Sequence, residues 1–166
     1  MSLKNRLITQ KARDEIDWRL ARVEYQLKKR EKAAERLLNL VQRTPKNVNG
    51  MPVDSTYIQY FTDFGTICFN IGQRHLSDRD RNTALKYFLQ STKVVGQYSA
   101  RANLQIADIL KQNISEAIKH AEKAEANKQF LNDNDTKVLY SLLTDLHRRA
   151  GNLDEARRYR QIWSSL

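Results

Sequence analysis

The stretch Arg149-Ala150-Gly151-Asn152-Leu153-Asp154-Glu155-Ala156-Arg157 joins two apolar helical patterns, one ending at Gly151 and one starting at Leu153. Glycine after a helix supplies the left-handed residue that ends it. Asn152 and Asp154 can accept hydrogen bonds from the first free amides of the following helix. The small side chain of Ala156 lets the two helix backbones approach closely. This stretch predicts a helical hairpin, which is the unit of a helical repeat array.

The composition favours a helical protein that folds as one domain. The chain has 166 residues, of which 40% are hydrophobic and 29% charged, too apolar a mixture for a disordered chain. Two prolines and five glycines are few for an all-β fold, whose turns use both residues. No apolar run approaches the ~20 residues of a membrane span, and the first residues lack a signal-peptide core. With Cys68 as the single cysteine, we expect a cytoplasmic protein without a membrane partner.

Positive charge is concentrated in the first third of the chain. The net charge is +10, and residues 1–50 hold thirteen Lys or Arg against six Asp or Glu. A basic surface attracts acidic partners over long range. Such a partner is an acidic protein or peptide, or a nucleic acid; the alternative is a solvated surface without a partner.

Apolar residues recur at helical spacing along the chain. In the first helix, the apolar stripe consists of Ile16, Leu20, Val23 and Leu27, widened by Trp18, Ala21 and Tyr25. Steps of four, three and four residues are typical of one helix face. Both prolines lie in residues 44–53, which we interpret as a linker. The four helical units predicted in this way are residues 3–45, 54–96, 98–131 and 135–166.

An alanine near the start of each second helix marks a repeat. These alanines are Ala34, Ala84, Ala117 and Ala156, separated by 50, 33 and 39 residues. The middle separation agrees with a repeat period of ~34 residues. The longer separations require insertions, which the linker and residues 130–134 supply.

The chain resembles the tetratricopeptide repeat family over nearly its full length. The motif residues are Trp18, Ala21, Tyr25, Ala34, Leu38 and Pro45 in the first unit, Ile71, Gly72, Ala84 and Phe88 in the second, Ile114, Ser115, Glu116 and Ala117 in the third, and Tyr140, Leu143, His147 and the turn up to Ala156 in the fourth. The resemblance implies a single all-α domain over residues 1–166, a right-handed superhelical array of antiparallel helix hairpins with about eight helices. A related helical-hairpin array is the structural alternative.

The resemblance also implies a concave groove, lined by the first helix of each unit, that holds an extended peptide or a partner helix. The groove residues carried over are Arg19, Val23, Phe69, Asn70, Gln73, Asn103, Arg148 and Arg149. Asn70 and Asn103 stand where family members hold a peptide backbone, and asparagine offers a donor and an acceptor. The alternative is that both asparagines only face solvent. We therefore expect a non-enzymatic adaptor that binds another protein, with acidic segments among the expected partners.

Side chains that catalysis or metal binding requires are not grouped in the sequence. There is no glycine-rich phosphate loop, and His75, His120 and His147 do not pair at helical metal-ligand spacing. Cys68 lies on an apolar helix stripe, which favours a buried structural thiol over a nucleophile. We interpret Asp133-Asn134-Asp135 as a turn, with Asp135 as the helix cap. We expect no enzymatic activity, no metal and no cofactor.

We expect the apolar residues at the end of the last helix to be left uncovered by the repeat stack. Tyr159, Ile162 and Trp163 lie in the final unit, without the polar helix that usually follows the last repeat in this family. The end of a repeat stack needs a cap. We therefore expect an end-to-end interface at these three residues, formed by a homodimer or by a docked partner.

Nucleic-acid binding by the basic first helix pair is the alternative function. Its cations are Lys11, Arg13, Arg19, Arg22, Lys28, Lys29, Arg30, Lys32 and Arg36. Neutralisation of a phosphate backbone needs only such positive charge. Acidic residues are interleaved with these cations, several of them at the spacing of helical ion pairs. This interleaving favours an ion-paired solvent face.

Overall fold

The protein is all-α in a computed structural model that describes the backbone of residues 3–166 and the side chains from Thr9 onward. In this part of the chain the eight α-helices are α1 (Leu3–Gln26), α2 (Arg30–Arg43), α3 (Ile58–Ser77), α4 (Arg81–Ser91), α5 (Gln97–Ile109), α6 (Ile114–Glu125), α7 (Asp133–Arg149) and α8 (Leu153–Ser164). Two short 3-10 helices, Ser55–Tyr57 and Lys128–Phe130, precede α3 and α7. The predicted linker contains an isolated antiparallel bridge between Lys46 and Pro52. The prediction of an all-α fold with about eight helices is confirmed.

The helices pack in the order in which they follow one another along the chain. The hairpins α1–α2, α3–α4, α5–α6 and α7–α8 contact the next hairpin through α2–α3, α4–α5 and α6–α7. The helices α3, α5 and α7 also contact one another in sequence, so they share one layer. α1 joins this layer through Trp18, whose ring stacks on Tyr60 of α3 with the centroids 5.0 Å apart. We call the exposed surface of this layer the odd-helix face.

Three of the four hairpins turn through the same backbone motif. At the end of α7, the N–H of Asn152 donates to the carbonyl of His147 at 2.9 Å, and the N–H of Gly151 donates to the carbonyl three residues earlier at 3.2 Å. These are the two hydrogen bonds of the Schellman motif, with Gly151 left-handed at φ 80°. The predicted helix end at Gly151 is confirmed. At the ends of α1 and α3 the left-handed residue is Lys28 and Arg79, respectively, instead of glycine.

The helix caps of the last hairpin differ from the predicted ones. Asn132 caps α7 in place of Asp135, because its side-chain oxygen accepts from the N–H of Asp135 at 2.7 Å. The side chain of Asn152 caps no amide of α8, and its Nδ2 lies 3.5 Å from Nδ1 of His147. Asp154 pairs with an arginine of its own helix. The residue types that favour caps were therefore recognised, but the capping positions were wrong.

Small residues set the distances between neighbouring helices. The repeated alanines Ala34, Ala84, Ala117 and Ala156 are all buried. Gly72 of α3 faces α4 so closely that an added Cβ would lie 2.7 Å from the ring of Phe88. Interiors are packed to crystal-like density, so contacts of this kind allow little change in side-chain volume.

Four residues of the predicted apolar stripe on α1 are exposed instead of buried. Ala21 is buried and Trp18 and Tyr25 are half-buried, but Ile16, Leu20, Val23 and Leu27 are exposed. The buried side of α1 carries Asp14 and Glu24, whose carboxylates pair with arginines of α2. The spacing of apolar residues thus located the helix but not the side that it buries.

Candidate partner-binding surface

A cluster of aromatic and charged side chains joins α1 to α3 on the odd-helix face. Trp18 Nε1 donates to Oδ2 of Asp63 at 2.7 Å, and Gln59 Nε2 donates to Oδ1 of the same carboxylate at 2.7 Å. The guanidinium carbon of Arg22 lies 5.0 Å from the centre of the Trp18 ring. Arg22 Nε is also 3.9 Å from Asp63 Oδ2, although more than half of the arginine side chain is exposed. This arrangement holds a cation in a fixed orientation at the surface.

A cleft of about 290 Å³ lies beside this cluster. Its lining is formed by Arg22, Tyr25, Gln26, Asp63, Thr66 and Ile67, and we call it the Tyr25 cleft. Asn70 of α3 donates from Nδ2 to the hydroxyl of Tyr25 at 3.1 Å. Among the described residues, the amide oxygen of Asn70 accepts no hydrogen bond, and the side chain is exposed. Asn70 is therefore held from one side and open to a ligand donor on the other.

Of the other predicted groove residues, Arg19, Val23 and Gln73 lie on the first two odd-numbered helices. Arg19 and Val23 are exposed and Gln73 is half-buried. Arg19 is not free to meet a ligand charge, because its guanidinium binds Glu15 at 2.6 Å within α1. Of the predicted groove residues, Asn70 is the one that the fold attaches to the wall of the Tyr25 cleft by a hydrogen bond.

Phe69 and Asn103 are corrections to the predicted groove, because both are buried. Phe69 packs against Phe88 with the centroids 5.5 Å apart, and Arg101 covers it at 5.0 Å. Asn103 donates to the carbonyl of Ser99 at 3.0 Å, and its Oδ1 lies 2.8 Å from His120 Nδ1. Burial lowers the pKa of His120, so the ring is neutral and its Nδ1–H serves as the donor to this oxygen. Phe69 packs α3 against α4 and α5, and Asn103 links α5 to α6.

Arg148 and Arg149 lie at the end of α7, on the last hairpin rather than beside the Tyr25 cleft. Arg148 binds Asp145 at 2.6 Å, and Arg149 lies 3.7 Å from the same carboxylate. Arg148 is exposed and Arg149 is about two thirds covered at its side chain. Predicted groove positions at the two ends of the array therefore do not form one compact site.

The predicted interface at the C-terminal helix is reduced to one exposed side chain. Tyr159 is buried, which corrects its assignment to this interface. Its hydroxyl donates to Glu125 at 2.9 Å, and its ring lies under Arg158 and beside His147. Ile162 is half-buried, and Trp163 is exposed.

Cys68 lies at the floor of a second cleft, between α2, α3 and α4. This cleft, of about 460 Å³, is lined by Glu31, Lys32, Ala34, Glu35, Leu38, Phe64, Cys68, Lys86, Tyr87 and Gln90 of α2, α3 and α4. The thiol is fully buried, which confirms the prediction of a buried cysteine. Burial raises its pKa to about 12, so the thiol is protonated and unreactive at neutral pH.

Among the described residues, five cations of the first helix pair are ion-paired within the protein. The pairs are Arg36 with Asp17 and Glu24, Arg43 with Asp14 and Asp17, Lys32 with Glu24, Lys11 with Asp54, and Arg19 with Glu15. The hydrogen bonds from Arg36 lower the pKa of Glu24. This surface therefore carries less uncompensated charge than its composition suggests.

Arg22 and Asp63 are the functional candidates that the groove prediction missed. Arg22 follows Trp18 by four residues, the spacing at which side chains on one helix face meet. That spacing was a usable signal for a cation over an indole. Asp63 had no comparable signal, because its partner Trp18 lies 45 residues away in the chain.

Neither a membrane span nor a metal site lies in the described part of the chain. No helix there is long and apolar enough to cross a membrane. In the same residues, no group of three or more His, Cys, Asp or Glu side chains is arranged to hold a metal ion. No family model, curated protein sequence or solved structure gives a significant match to this chain.

Proposed function

We propose that the protein is a non-enzymatic adaptor of the tetratricopeptide repeat type, which binds an extended segment of another protein on the odd-helix face. The observation that carries this proposal is the Tyr25 cleft, with Asn70 fixed against its wall by the hydrogen bond to Tyr25. An asparagine held in this way presents an acceptor to a peptide N–H without loss of further side-chain freedom.

The cations around the Tyr25 cleft favour an acidic segment. Arg22 is fixed over Trp18 and keeps guanidinium donors toward solvent. Arg30 lies 5.9 Å from the Tyr25 ring, and the exposed Lys28 and Lys29 follow α1 at the same end. In the described lining of the cleft, Asp63 is the one acidic residue, and Trp18 and Gln59 already donate to it. The charge available to a ligand is therefore positive, and opposite charges across an interface raise its association rate and specificity.

The test is a selection of random peptides on the immobilised protein, followed by affinity measurements on the enriched sequences. We expect Asp- and Glu-rich peptides to be enriched. Arg22→Ala is expected to weaken binding about tenfold or more, since a hydrogen bond to a charged group contributes ~1.5–3 kcal/mol. Asn70→Ala is expected to weaken binding about two- to tenfold, since a hydrogen bond between neutral groups contributes ~0.5–1.5 kcal/mol. Arg157→Ala is the matched control, because Arg157 is an exposed arginine of α8. Peptides that bind both variants as tightly as the native protein would contradict the proposal.

Nucleic-acid binding is the alternative function, and it must be distinguished from peptide binding. The ion pairs within α1 and α2 do not favour it, because they occupy the cations that would meet phosphates. A gel-shift with random RNA and DNA at physiological salt is the direct check. A shift whose affinity falls steeply with salt, together with no peptide enrichment, would replace the adaptor proposal by nucleic-acid binding.

A further inference from the structure

The two helices beside the Tyr25 cleft, α1 and α3, run in the same direction. Trp18 of α1 donates to Asp63 of α3, and Asn70 of α3 donates to Tyr25 of α1, and each pair is separated by 45 positions in the chain. The step from the first contact to the second is about 10 Å along each helix at a rise of ~1.5 Å per residue. The lining of the cleft includes Asp63 and Tyr25, one member of each contact. The cleft is therefore about as long as three residues of an extended peptide, at ~3.3 Å per residue.

Polar groups of the lining are already engaged within the protein. Both carboxylate oxygens of Asp63 accept hydrogen bonds, one from Trp18 and one from Gln59, at 2.7 Å each. The hydroxyl of Thr66 donates to the carbonyl of Thr62 at 2.8 Å. A polar group that leaves water without gaining a partner loses free energy. The base of the cleft therefore disfavours a polar side chain of the ligand.

The rest of the lining is apolar at its base and cationic at its edge. Ile67 is buried and Tyr25 is half-buried, whereas Arg22 and Gln26 are exposed. The separation of 45 positions between facing residues places Arg22 level with Ile67 along the two parallel helices. A ligand that inserts a side chain above Ile67 therefore brings its neighbouring residues to the guanidinium of Arg22.

We propose that the Tyr25 cleft receives one large apolar side chain of the bound segment. Arg22 then pairs with an acidic residue within about two positions of that side chain, since an extended segment rises ~3.3 Å per residue. This inference rests on the proposed function and names the element that the site recognises. That element is an apolar residue next to an acidic one, and not acidic content alone.

The charges at the cleft exclude the other occupants. An acidic side chain inside it would meet the carboxylate of Asp63, and a basic one would meet the guanidinium of Arg22. Like charges placed together across an interface weaken binding. The volume of about 290 Å³ also lies just below the ~300 Å³ at which pockets for drug-sized ligands begin. It suits a single side chain such as leucine or methionine.

The first test compares synthetic peptides of equal length by fluorescence anisotropy on the native protein. All contain the same short run of Asp in a Gly-Ser background. One has no Leu, two have Leu directly before or directly after the run, and one has Leu separated from the run by more than the length of the cleft. A fifth peptide has Leu beside a run of Asn. We expect one of the two adjacent arrangements to bind about tenfold or more tightly than the peptide without Leu, because the leucine side chain is buried.

The second test fills the cleft from α3 with Thr66→Gln, because glutamine is longer than threonine and uncharged. Thr62→Gln is the matched control. Thr62 is an exposed threonine of the same helix, its hydroxyl donates to the carbonyl of Ile58 at 3.0 Å, and it lies outside the lining of the cleft. Thr66→Gln is expected to remove most of the gain from Leu and to keep the gain from Asp, whereas Arg22→Ala does the reverse. Circular dichroism checks that the variants keep the native fold.

The outcomes distinguish this inference from the proposed function. Acidic peptides that bind equally well with and without Leu overturn the apolar contact and leave the adaptor proposal in place. A gain from Leu that is as large in the separated arrangement, or that persists in Thr66→Gln, places the contact outside the cleft and also overturns it. Equal binding of the Asn and Asp peptides overturns the pairing with Arg22. If no acidic peptide binds, both proposals fail.

Discussion

Lys28 and Arg79 adopt the left-handed backbone conformation that Gly151 adopts at the end of α7. Their φ angles are 62° and 63°, against 80° for the glycine. The same two backbone hydrogen bonds close each of these turns. In the bond that spans five residues, the N–H of Lys29 donates to the carbonyl of Glu24, and the N–H of Asp80 donates to the carbonyl of His75. For a residue with a Cβ this conformation costs about 1–2 kcal/mol. The turns therefore form because the two helices pack, and not because of the local residue preference.

This difference predicts opposite effects of two substitutions at equivalent positions. Gly151→Ala is expected to lower the free energy of unfolding by about 1 kcal/mol, because alanine meets the left-handed strain that glycine avoids. Arg79→Gly is expected to raise it by about 0.5 kcal/mol, because relief of strain exceeds the added freedom of the unfolded chain. Urea denaturation of both variants is the measurement. A destabilised Arg79→Gly would show that the arginine side chain makes a stabilising contact that outweighs the strain.

At the level of residues, the sequence identified the left-handed residue of the turn at Gly151 but not the left-handed residues of the two equivalent turns. Glycine after an apolar run is a local signal. Lysine and arginine carry no such signal, so the left-handed conformations of Lys28 and Arg79 follow only from the packing of complete hairpins. Burial was predicted for Cys68, but Phe69 and Asn103 were assigned to a surface that they do not reach. The groove assignment depended on the rotation of each helix about its axis, which short motifs define poorly.

The contact between α1 and α2 combines a small apolar core with a buried ionic network. Asp14 is buried, and its Oδ1 accepts from Arg43 Nη2 at 2.6 Å. Its Oδ2 accepts from the hydroxyl of Tyr57 at 2.7 Å. The side chain thus connects α1, α2 and the segment before α3. Removing Asp14 leaves the Tyr57 hydroxyl without this acceptor, while Arg43 keeps its ion pair with Asp17.

Asp14→Ala is therefore expected to lower the free energy of unfolding by about 2 kcal/mol, the order found when a buried hydrogen-bonding group loses its partner. Asp154→Ala is the matched control, because the side chain of Asp154 is 98% exposed and pairs with Arg157 on the surface. Exposed pairs contribute about 0–1 kcal/mol. Chemical denaturation monitored by circular dichroism compares the two. Equal effects would contradict the structural role of the buried network.

The same contact predicts a loss of stability in acid. Arg36 is the main cause of a lowered pKa at Glu24, and Lys11 of a pKa near 2 at Asp54. A carboxyl with a lowered pKa in the folded state stabilises the fold fully above its ordinary pKa. That contribution disappears as pH falls through the folded pKa. We expect the free energy of unfolding to decline below the ordinary glutamate value of 4.5.

The check is urea denaturation at a series of pH values on the native protein and on Glu24→Gln. The variant is expected to be less stable at neutral pH and to lose less stability on acidification, because the introduced amide does not take up a proton in this pH range. Parallel pH profiles for the two proteins would show that Glu24 does not contribute to the acid response.

At the level of elements, periodicity predicted where α1 lies but not which side it buries. A helix face that carries Asp14 and Glu24 looks solvent-exposed in a sequence. The arginines that satisfy these carboxylates lie on α2, and their alignment is a property of the folded hairpin. The apolar spacing of Ile16, Leu20, Val23 and Leu27 was therefore visible as a pattern, while the exposure of these side chains was not.

For the whole molecule, packing between neighbours makes stability uneven along the array. α3 packs against α2, α4 and α5, whereas the main neighbour of α8 is α7. α8 buries Ala156 and Tyr159, and α3 buries a longer apolar row that includes Phe61, Phe64 and Ile71. In repeat proteins such differences permit partial unfolding from an end.

Backbone amides of α8 are therefore expected to exchange hydrogen for deuterium faster than those of α3. Mass spectrometry of peptides from a time course of exchange is the measurement. Guanidinium chloride at low concentration should accelerate exchange in α3 more strongly, because its exposure requires opening of a larger part of the array. Equal protection of the two helices would show that the array opens only as a unit.

The buried thiol at the floor of the cleft between α2 and α4 makes these fluctuations measurable without an added label. Its side chain is closed to solvent, and its pKa of about 12 leaves little thiolate near neutral pH. A thiol-specific chromogenic reagent therefore reacts with Cys68 only in molecules whose second and fourth helices have transiently separated. The reaction rate reports the frequency of that separation, and a ligand that bridges the two helices would register as a slower colour change.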